Sequence, residues 1–242
     1  MKNTLIDITN KNLKNNPKEE IYKSFNDFIF SNDIKLLGKM LHRFEHFLNT
    51  KDLPGDIVEI GVFKGSGIST FSKFIEVYSP NSNKKVIGFD IFGTDEAEEI
   101  LNKDSKLDKE CMNIVYDRVK NDELSLESVK KNLLRTNIST DKYELIKGDV
   151  EISIPKYLEE NPGFRISMLY IDVDLDRPTY VSLKYLWDRI LPGGVILFDE
   201  FEYHKFTESN GVEKFLKEKN LNFDLKTTNW IAPTAFMYKK NF

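Results

Sequence analysis

The stretch Ile166-Ser167-Met168-Leu169-Tyr170-Ile171-Asp172-Val173-Asp174 is an apolar run that ends in two acids one residue apart. A second apolar run, Val195-Ile196-Leu197-Phe198, ends in Asp199-Glu200. Short apolar runs of this kind read as buried strands, whereas carboxylates are almost never fully buried unless paired or bound to a cation. In an open α/β sheet the carboxyl ends of neighbouring strands face one crevice, so the four acids converge there if the two strands are adjacent. A cluster of hard oxygens suits Mg²⁺ or another hard divalent cation.

Strands and helices alternate on either side of these runs. Residues 56–62 predict a first strand, 68–78 a helix, 86–89 a second strand ending at Asp90, and 143–146 a third ending at Gly148-Asp149. A short helix over 153–159 precedes the fourth strand at 166–171. Pro192-Gly193-Gly194 ends a helix over 179–190 and leads into the fifth strand at Val195. After a helix near 211–219, two β-rich runs at 223–228 and 235–238 are joined by a turn around Ala232-Pro233. The pattern predicts a doubly wound, mostly parallel, seven-stranded α/β sheet of Rossmann-like type with antiparallel C-terminal strands. Residues 1–50 read as a polar arm and an N-terminal helical cap. The cap's helical pattern spans 18–49, with Leu37, Met40, Leu41, Phe44, Phe47 and Leu48 three and four apart. Residues 51–242 form the main domain, and the charged span 94–140, helical around 124–134, is an insertion or lid.

At 242 residues with a net charge of −4, the chain has enough length for a substantial core and no basic excess, which argues against a nucleic-acid partner. One cysteine, Cys111, excludes an internal disulfide framework, and no apolar stretch approaches the roughly 20 residues of a membrane span. The expectation is a soluble, cytoplasmic protein without a membrane partner.

Glu59-Ile60-Gly61-Val62-Phe63-Lys64-Gly65-Ser66-Gly67 follows the first strand and opens a helix, so glycines bring backbone N–H groups close to a ligand. The spacing is G-x-x-x-G-x-G, not the dinucleotide fingerprint, which needs a glycine at Phe63. An acid beside the turn suits an amino group or a sulfonium, which favours S-adenosylmethionine over NAD. Asp90 is placed to accept from ribose hydroxyls, and Gly148 and Asp149 to reach an adenine edge, with a helix cap as the alternative role of Asp149. The cofactor-binding candidates are therefore Glu59, Gly61, Val62, Phe63, Gly65, Ser66, Asp90, Gly148 and Asp149.

A divalent cation in the acid cluster leaves positions for a sugar diol or a catechol, and cation binding lowers the pKa of an alcohol by several units. A nearby carboxylate can then remove the proton. Asp174 and Asp176 both lie just past the strand, and the sequence does not separate them. His42 and His46 are four apart on the cap helix but lack the H-E-x-x-H zinc signature, and read as helix-surface residues. His204 lies on a loop; a surface role is the main reading and a substrate contact the weaker one. Cys111 has no adjacent histidine, so no thiol nucleophile is implied.

These segments resemble class I S-adenosylmethionine-dependent methyltransferases, and within them the macrocin-type sugar O-methyltransferases. Residues 59–65 look like the cofactor turn of that family, and Gly88-Phe89-Asp90-Ile91-Phe92-Gly93 like its second-strand acid segment. Asp172-Val173-Asp174-Leu175 with Pro178-Thr179, and residues 191–201, are similar to its metal segments. The resemblance covers about residue 54 to the end. It implies S-adenosylmethionine as methyl donor, Asp172, Asp199 and Glu200 as Mg²⁺ ligands, and Asp174 as general base. Two positions depart from the family: Glu200 stands where a second Asp is frequent, and Asp176 where an aromatic is frequent, so Asp176 becomes a candidate for the sugar-facing wall beside His204. The implied acceptor is a sugar hydroxyl, nucleotide-linked or destined for a glycan or natural product. A phenol or catechol O-methyltransferase is the close alternative, ahead of an NAD-linked oxidoreductase and a non-catalytic cofactor-binding module. A homo-oligomer built through the N-terminal cap is the remaining partner expectation.

Overall fold

The strands of the central sheet send alternate side chains into two separate cores, one on each face. Val58, Ile60, Ile87, Phe89, Leu169, Ile171, Ile196 and Phe198 belong to one core, and Ile57, Val86, Met168, Tyr170, Val195 and Leu197 to the other. A strand buried on both faces has no polar side to show, which is why the fourth and fifth strands read as unbroken apolar runs. The computed structural model describes residues 18–120, 122–221 and 224–240.

Helices α1 (Lys18–Ile29) and α2 (Ile34–Thr50) come first. There follow β1 (Asp56–Ile60), α3 (Ser66–Tyr78), β2 (Val86–Asp90), α4 (Thr94–Leu101), α5 (Lys106–Tyr116), α6 (Leu126–Leu134) and β3 (Tyr143–Lys147). The chain continues through α7 (Val150–Glu160), β4 (Ile166–Ile171), α8 (Asp176–Leu186), β5 (Ile190–Phe198), α9 (Glu208–Lys219), β6 (Lys226–Thr227) and β7 (Ala235–Tyr238). The sheet order is β3-β2-β1-β4-β5-β7-β6. The first five strands pair in parallel, and β7 pairs antiparallel to both β5 and β6. This is the seven-stranded, mostly parallel sheet expected from the alternation of elements. No helix among the described residues is long and apolar enough to cross a membrane.

Several local expectations need correction. The helical pattern over 18–49 forms two helices, and the described residues fall into two compact units, one up to Gly38 and one from Lys39 onward. In the first unit, Ile21, Tyr22, Phe25, Ile29 and Phe30 are exposed. The span 94–140 holds three helices, not one. Ser105 and Ser125 cap the second and third by accepting from the backbone N–H three residues on, a spacing visible in the sequence as Ser-x-x-Asp and Ser-x-x-Ser. Its last helix, α6, is part of the main architecture: Val129 and Leu133 are buried in the same core as β1, making α6 the crossover between β2 and β3. Pro192-Gly193-Gly194 does not precede β5 but lies within it. Gly193 N–H donates to Lys239 O at 2.8 Å and Lys239 N–H to Gly194 O at 2.8 Å, so pairing with the C-terminal strand carries the ladder through the break. Residue 223 of the expected run 223–228 lies outside the described residues, and β6 within the run is two residues long.

The buried face of α2 also differs from the apolar stripe read from sequence. Met40, Leu41 and Leu48 are exposed, whereas Arg43, His46, Phe47 and Thr50 are buried. His46, read as a surface residue, packs its ring 4.5 Å from that of Phe236, with Nδ1 3.3 Å from the Tyr238 hydroxyl. Burial first, and His42 second, lower its pKa to about 4. An unfolded histidine protonates near pH 6.5, so the folded chain loses stability as the pH falls from about 6.5 towards 4, by about 3 kcal/mol at pH 4. Replacing His46→Phe is expected to remove that acid loss. Urea unfolding of both proteins at pH 7 and pH 4 checks it, and an unchanged difference between the two pH values is the contrary result.

Candidate active site

Parallel pairing places the ends of β1, β4 and β5 side by side. Ile171 pairs with Phe198 and with Ile60, and the ladder continues one step as Asp172 N–H donates to Ile60 O at 2.8 Å and Asp199 N–H to Ile171 O at 3.0 Å. Asp172 and Asp199 are therefore lateral neighbours, as adjacency of the two strands requires. Their carboxylates share one cation. Lys39 Nζ, on α2, lies 2.9 Å from Asp172 Oδ2 and 2.8 Å from Asp199 Oδ2. The second Asp199 oxygen accepts a hydrogen bond from the Tyr170 hydroxyl.

One turn further along α2, Arg43 continues the compensation. Its Nη2 is 3.5 Å from Asp172 Oδ2 and 3.7 Å from Glu59 Oε1, and its guanidinium stacks 4.5 Å above the Tyr170 ring. Burial pushes the Asp172 carboxyl up, but Lys39 and Arg43 more than offset this and hold it below the ordinary range. Asp199 ends above it, raised by burial and by Asp172. Asp174 is raised well above, by burial and then by Asp172, Asp199 and Glu200. Its backbone is left-handed (φ 65°), and its carbonyl accepts from Thr207 N–H at 3.0 Å. Among the described residues no three His, Cys, Asp or Glu side chains form a ready-made metal group. The donor chemistry nevertheless fits a hard dication. Two carboxylates already converge on one positive charge, and beside them the fully buried Glu208 has its Oε2 without a hydrogen-bond partner among the described residues. The other oxygen of Glu208 accepts from Glu200 N–H at 3.1 Å, and burial, Asp174, Asp199 and Asp172 raise its pKa well above normal.

The glycine turn after β1 is held by Asp90. Its Oδ2 accepts from Val62 N–H at 2.7 Å and Phe63 N–H at 3.0 Å, and its Oδ1 from Phe92 N–H at 2.7 Å. A carboxylate offers about four acceptor sites, so capacity for a ligand hydroxyl remains. Gly61 has φ +89° and touches the neighbouring strand end so closely that a Cβ would lie 1.9 Å from Asp172 O. Gly65, at φ +87°, is the N-cap of α3; Val62 is buried, whereas Phe63 and Ser66 face outward. Glu59 does not face outward. It is buried beneath the turn, where a Cβ on Gly67 would meet its carboxylate at 1.6 Å, and burial, opposed by Arg43, raises its pKa to about 8.

Gly148 (φ +134°) donates to Asp90 O at 2.9 Å, and Asp149 caps α7 through Glu151 N–H at 3.1 Å. Asp149 also pairs with Lys103 at 2.9 Å and Arg177 at 3.2 Å, while Arg177 reaches Asp104 at 2.8 Å. The segment after α4 is thereby pinned to α7 and α8. Helix α5 is pinned on the other side, where Thr207 donates to Asp108 at 2.6 Å and Cys111 Sγ donates to Lys205 O at 3.1 Å. Burial, then Asp90 and Asp174, raise the pKa of Tyr116 at the end of α5, which puts it in electrostatic reach of both the turn and the acid cluster. Asp176 opens α8, its N–H donating to Thr207 Oγ1 at 2.9 Å and its Oδ1 buried without a partner among the described residues. His204 is exposed, and His42 stacks on Trp230 at 6.1 Å, away from His46's partners.

Lys39, Arg43, Tyr170, Tyr116 and Glu208 are absent from the sequence-derived candidates. The i, i+4 spacing of Lys39 and Arg43 was visible, but no local rule says that a charged face of a helix turns inward. Glu208 carries no motif at all.

A mostly parallel sheet in this order, with antiparallel C-terminal strands, a glycine turn after β1 and acids closing β2, β4 and β5, defines a class I S-adenosylmethionine-dependent methyltransferase. The family model for macrocin O-methyltransferase (TylF) matches residues 36–240, and the chain belongs to that family. It is an O-methyltransferase whose methyl donor is S-adenosylmethionine. Among its relatives is mycinamicin III 3''-O-methyltransferase of Micromonospora griseorubida, 22% identical over 192 residues, covering 76% of this chain and 72% of that one. Another is the 8-demethyl-8-(2,3-dimethoxy-alpha-L-rhamnosyl)-tetracenomycin-C 4'-O-methyltransferase of Streptomyces olivaceus, 26% identical over 149 residues, 62% of this chain and 54% of that one. The structure is similar to that of the calicheamicin methyltransferase CalS11, with a TM-score of 0.71 at 22% identity over 98% of this chain and 94% of that one.

The contact between Gly61 and Asp172 gives a direct test. Gly61→Ala is expected to lower stability by on the order of 3 kcal/mol, because both the positive φ and the strand contact oppose a side chain. Gly163→Ala, with nothing within 4 Å of the added carbon, is expected to stay within about 0.5 kcal/mol of the parent. Denaturant unfolding of the two variants checks the pair; equal losses contradict the assignment.

Proposed function

We propose that this protein methylates a sugar hydroxyl, on a nucleotide-linked sugar or a sugar-bearing natural product, with Asp172, Asp199 and Glu200 holding Mg²⁺ or another hard dication and Asp174 acting as the base. The observation that carries the reading is the convergence of Asp172 and Asp199 on a single positive charge beside the glycine turn. A sugar acceptor is supported by family membership, by the rhamnosyl group in the name of the S. olivaceus enzyme, and by the description of CalS11 as a TDP-rhamnose 3'-O-methyltransferase.

The residues divide the work by strand end. The turn that Asp90 fixes through the Val62 and Phe63 N–H groups, and the first turn of α3, hold the nucleoside, with Asp90 accepting from the ribose and Gly148 and Asp149 bordering the adenine. Asp149 works there as a cap and an anchor for the lid segment rather than as a free acceptor. Glu59 acts from below: it faces Arg43 and shapes the turn. A dication supplies the positive charge that lowers the pKa of an alcohol oxygen towards neutrality. Asp174 then takes the hydroxyl proton, a contribution of about 10² to 10⁴ in rate, while alignment of donor and acceptor is worth roughly 7 to 11 kcal/mol of the barrier. Asp176 and His204 border the acceptor side at the start of α8 and the loop after β5. Helix α5, pinned by Thr207 and Lys205, and Tyr116 at its end exclude water above the reacting groups.

Incubation with S-adenosylmethionine, Mg²⁺ and a panel of nucleotide-linked sugars and catechols, followed by mass spectrometry, is expected to show methyl addition to a sugar. Methylation confined to catechols contradicts the acceptor, and full turnover in EDTA contradicts the dication. Asp172→Ala is expected to abolish turnover with cofactor affinity kept within a few fold by calorimetry. Asp174→Asn is expected to lower kcat by 10²-fold or more with little change in ion affinity, and a large loss of ion binding reassigns it as a ligand.

A further inference from the structure

Lys39 Nζ is 2.9 Å from Asp172 Oδ2 and 2.8 Å from Asp199 Oδ2, and Asp199 Oδ1 is taken by the Tyr170 hydroxyl. The two Oδ2 atoms are thus the pair that already converges on one positive charge. A dication held by those same oxygens would need the place that the ammonium fills, so the two could not be present together. The two neighbouring cations differ in how they are held. Arg43 is stacked on Tyr170 and faces Glu59 as well as Asp172, whereas the Lys39 ammonium pairs, among the described residues, with the two aspartates and ends a flexible four-carbon stem. Charge also favours exchange. Asp172, Asp174, Asp199 and Glu208 crowd one region, Glu208 Oε2 has no partner among the described residues, and one ammonium supplies half the charge of a dication.

We infer that Lys39 is a counter-cation held in the ion's seat between Asp172 and Asp199, and that a divalent ion loads by expelling it. The inference rests on the reading that a dication binds between Asp172 and Asp199. It makes Lys39 a positioning residue that sets ion affinity by competition and keeps two like-charged strand ends together until the ion arrives. Because it has to leave for the ion to enter, the lysine weakens ion binding.

The test is calorimetric titration of MgCl₂ into the EDTA-treated, dialysed full chain as wild type, Lys39→Met and Lys39→Arg, with melting temperatures recorded in EDTA. Lys39→Met is expected to bind Mg²⁺ at least tenfold more tightly than wild type while melting lower in EDTA. Lys39→Arg, whose fork can hold both carboxylates at once, is expected to bind Mg²⁺ several-fold more weakly. Equal or weaker binding by Lys39→Met overturns the exchange and leaves the ion reading standing, whereas no binding by any of the three proteins overturns both. Should Lys39→Met fail to fold without the ion, Lys39→Arg decides, and binding equal to or tighter than wild type overturns the inference.

Discussion

Carboxylates that close adjacent parallel strands repel one another unless a positive charge stands between them, and the bridge from Lys39 to Asp172 and Asp199 meets that constraint here. The pair is largely withdrawn from water, where losing one partner of an ion pair costs about 3 to 5 kcal/mol, against about 0 to 1 for an exposed pair. The orientation of α2 follows from this. The helix turns Lys39, Arg43 and His46 inward together with Phe47, and leaves Met40, Leu41 and Leu48 outside, because the cluster beneath it needs cations more than the core needs three further apolar side chains.

The same economy of charge runs through the cofactor side. Asp90 gathers three backbone N–H donors and so converts a flexible glycine turn into a fixed one, while Glu59 is matched by Arg43 and roofed by the bare Cα of Gly67. Gly61 lets the ends of β1 and β4 touch. Its contact with the carbonyl of Asp172 couples the glycine turn mechanically to the acid cluster, so the nucleoside and ion regions are built on one another although they use different side chains. A methyl transfer that depends on alignment benefits from such stiffness.

Legibility followed the range of the interaction. Ile166–Ile171 reads directly as a buried strand, and the acids after two such runs meet on the condition that the strands are adjacent, which the pairing of β4 with β5 fulfils. The continuation of β5 through Pro-Gly-Gly depends on Lys239, some 45 residues away, and the burial of Val129 and Leu133 in a core shared with β1 has no local signature. His46 and Arg43 follow ordinary surface spacing and are nonetheless buried, since what covers them comes from β7 and from Tyr170.

By itself the amino-acid order determined the alternation of strands and helices, the glycine turn and the acids at the strand ends, because hydrophobic periodicity and backbone freedom act over a few residues. Only the tertiary structure decided which charges answer those acids. Compensation of a buried carboxylate is a matter of distance in space, and Lys39 and Glu208 come from positions 133 residues before Asp172 and nine after Asp199, with no pattern along the chain to mark them.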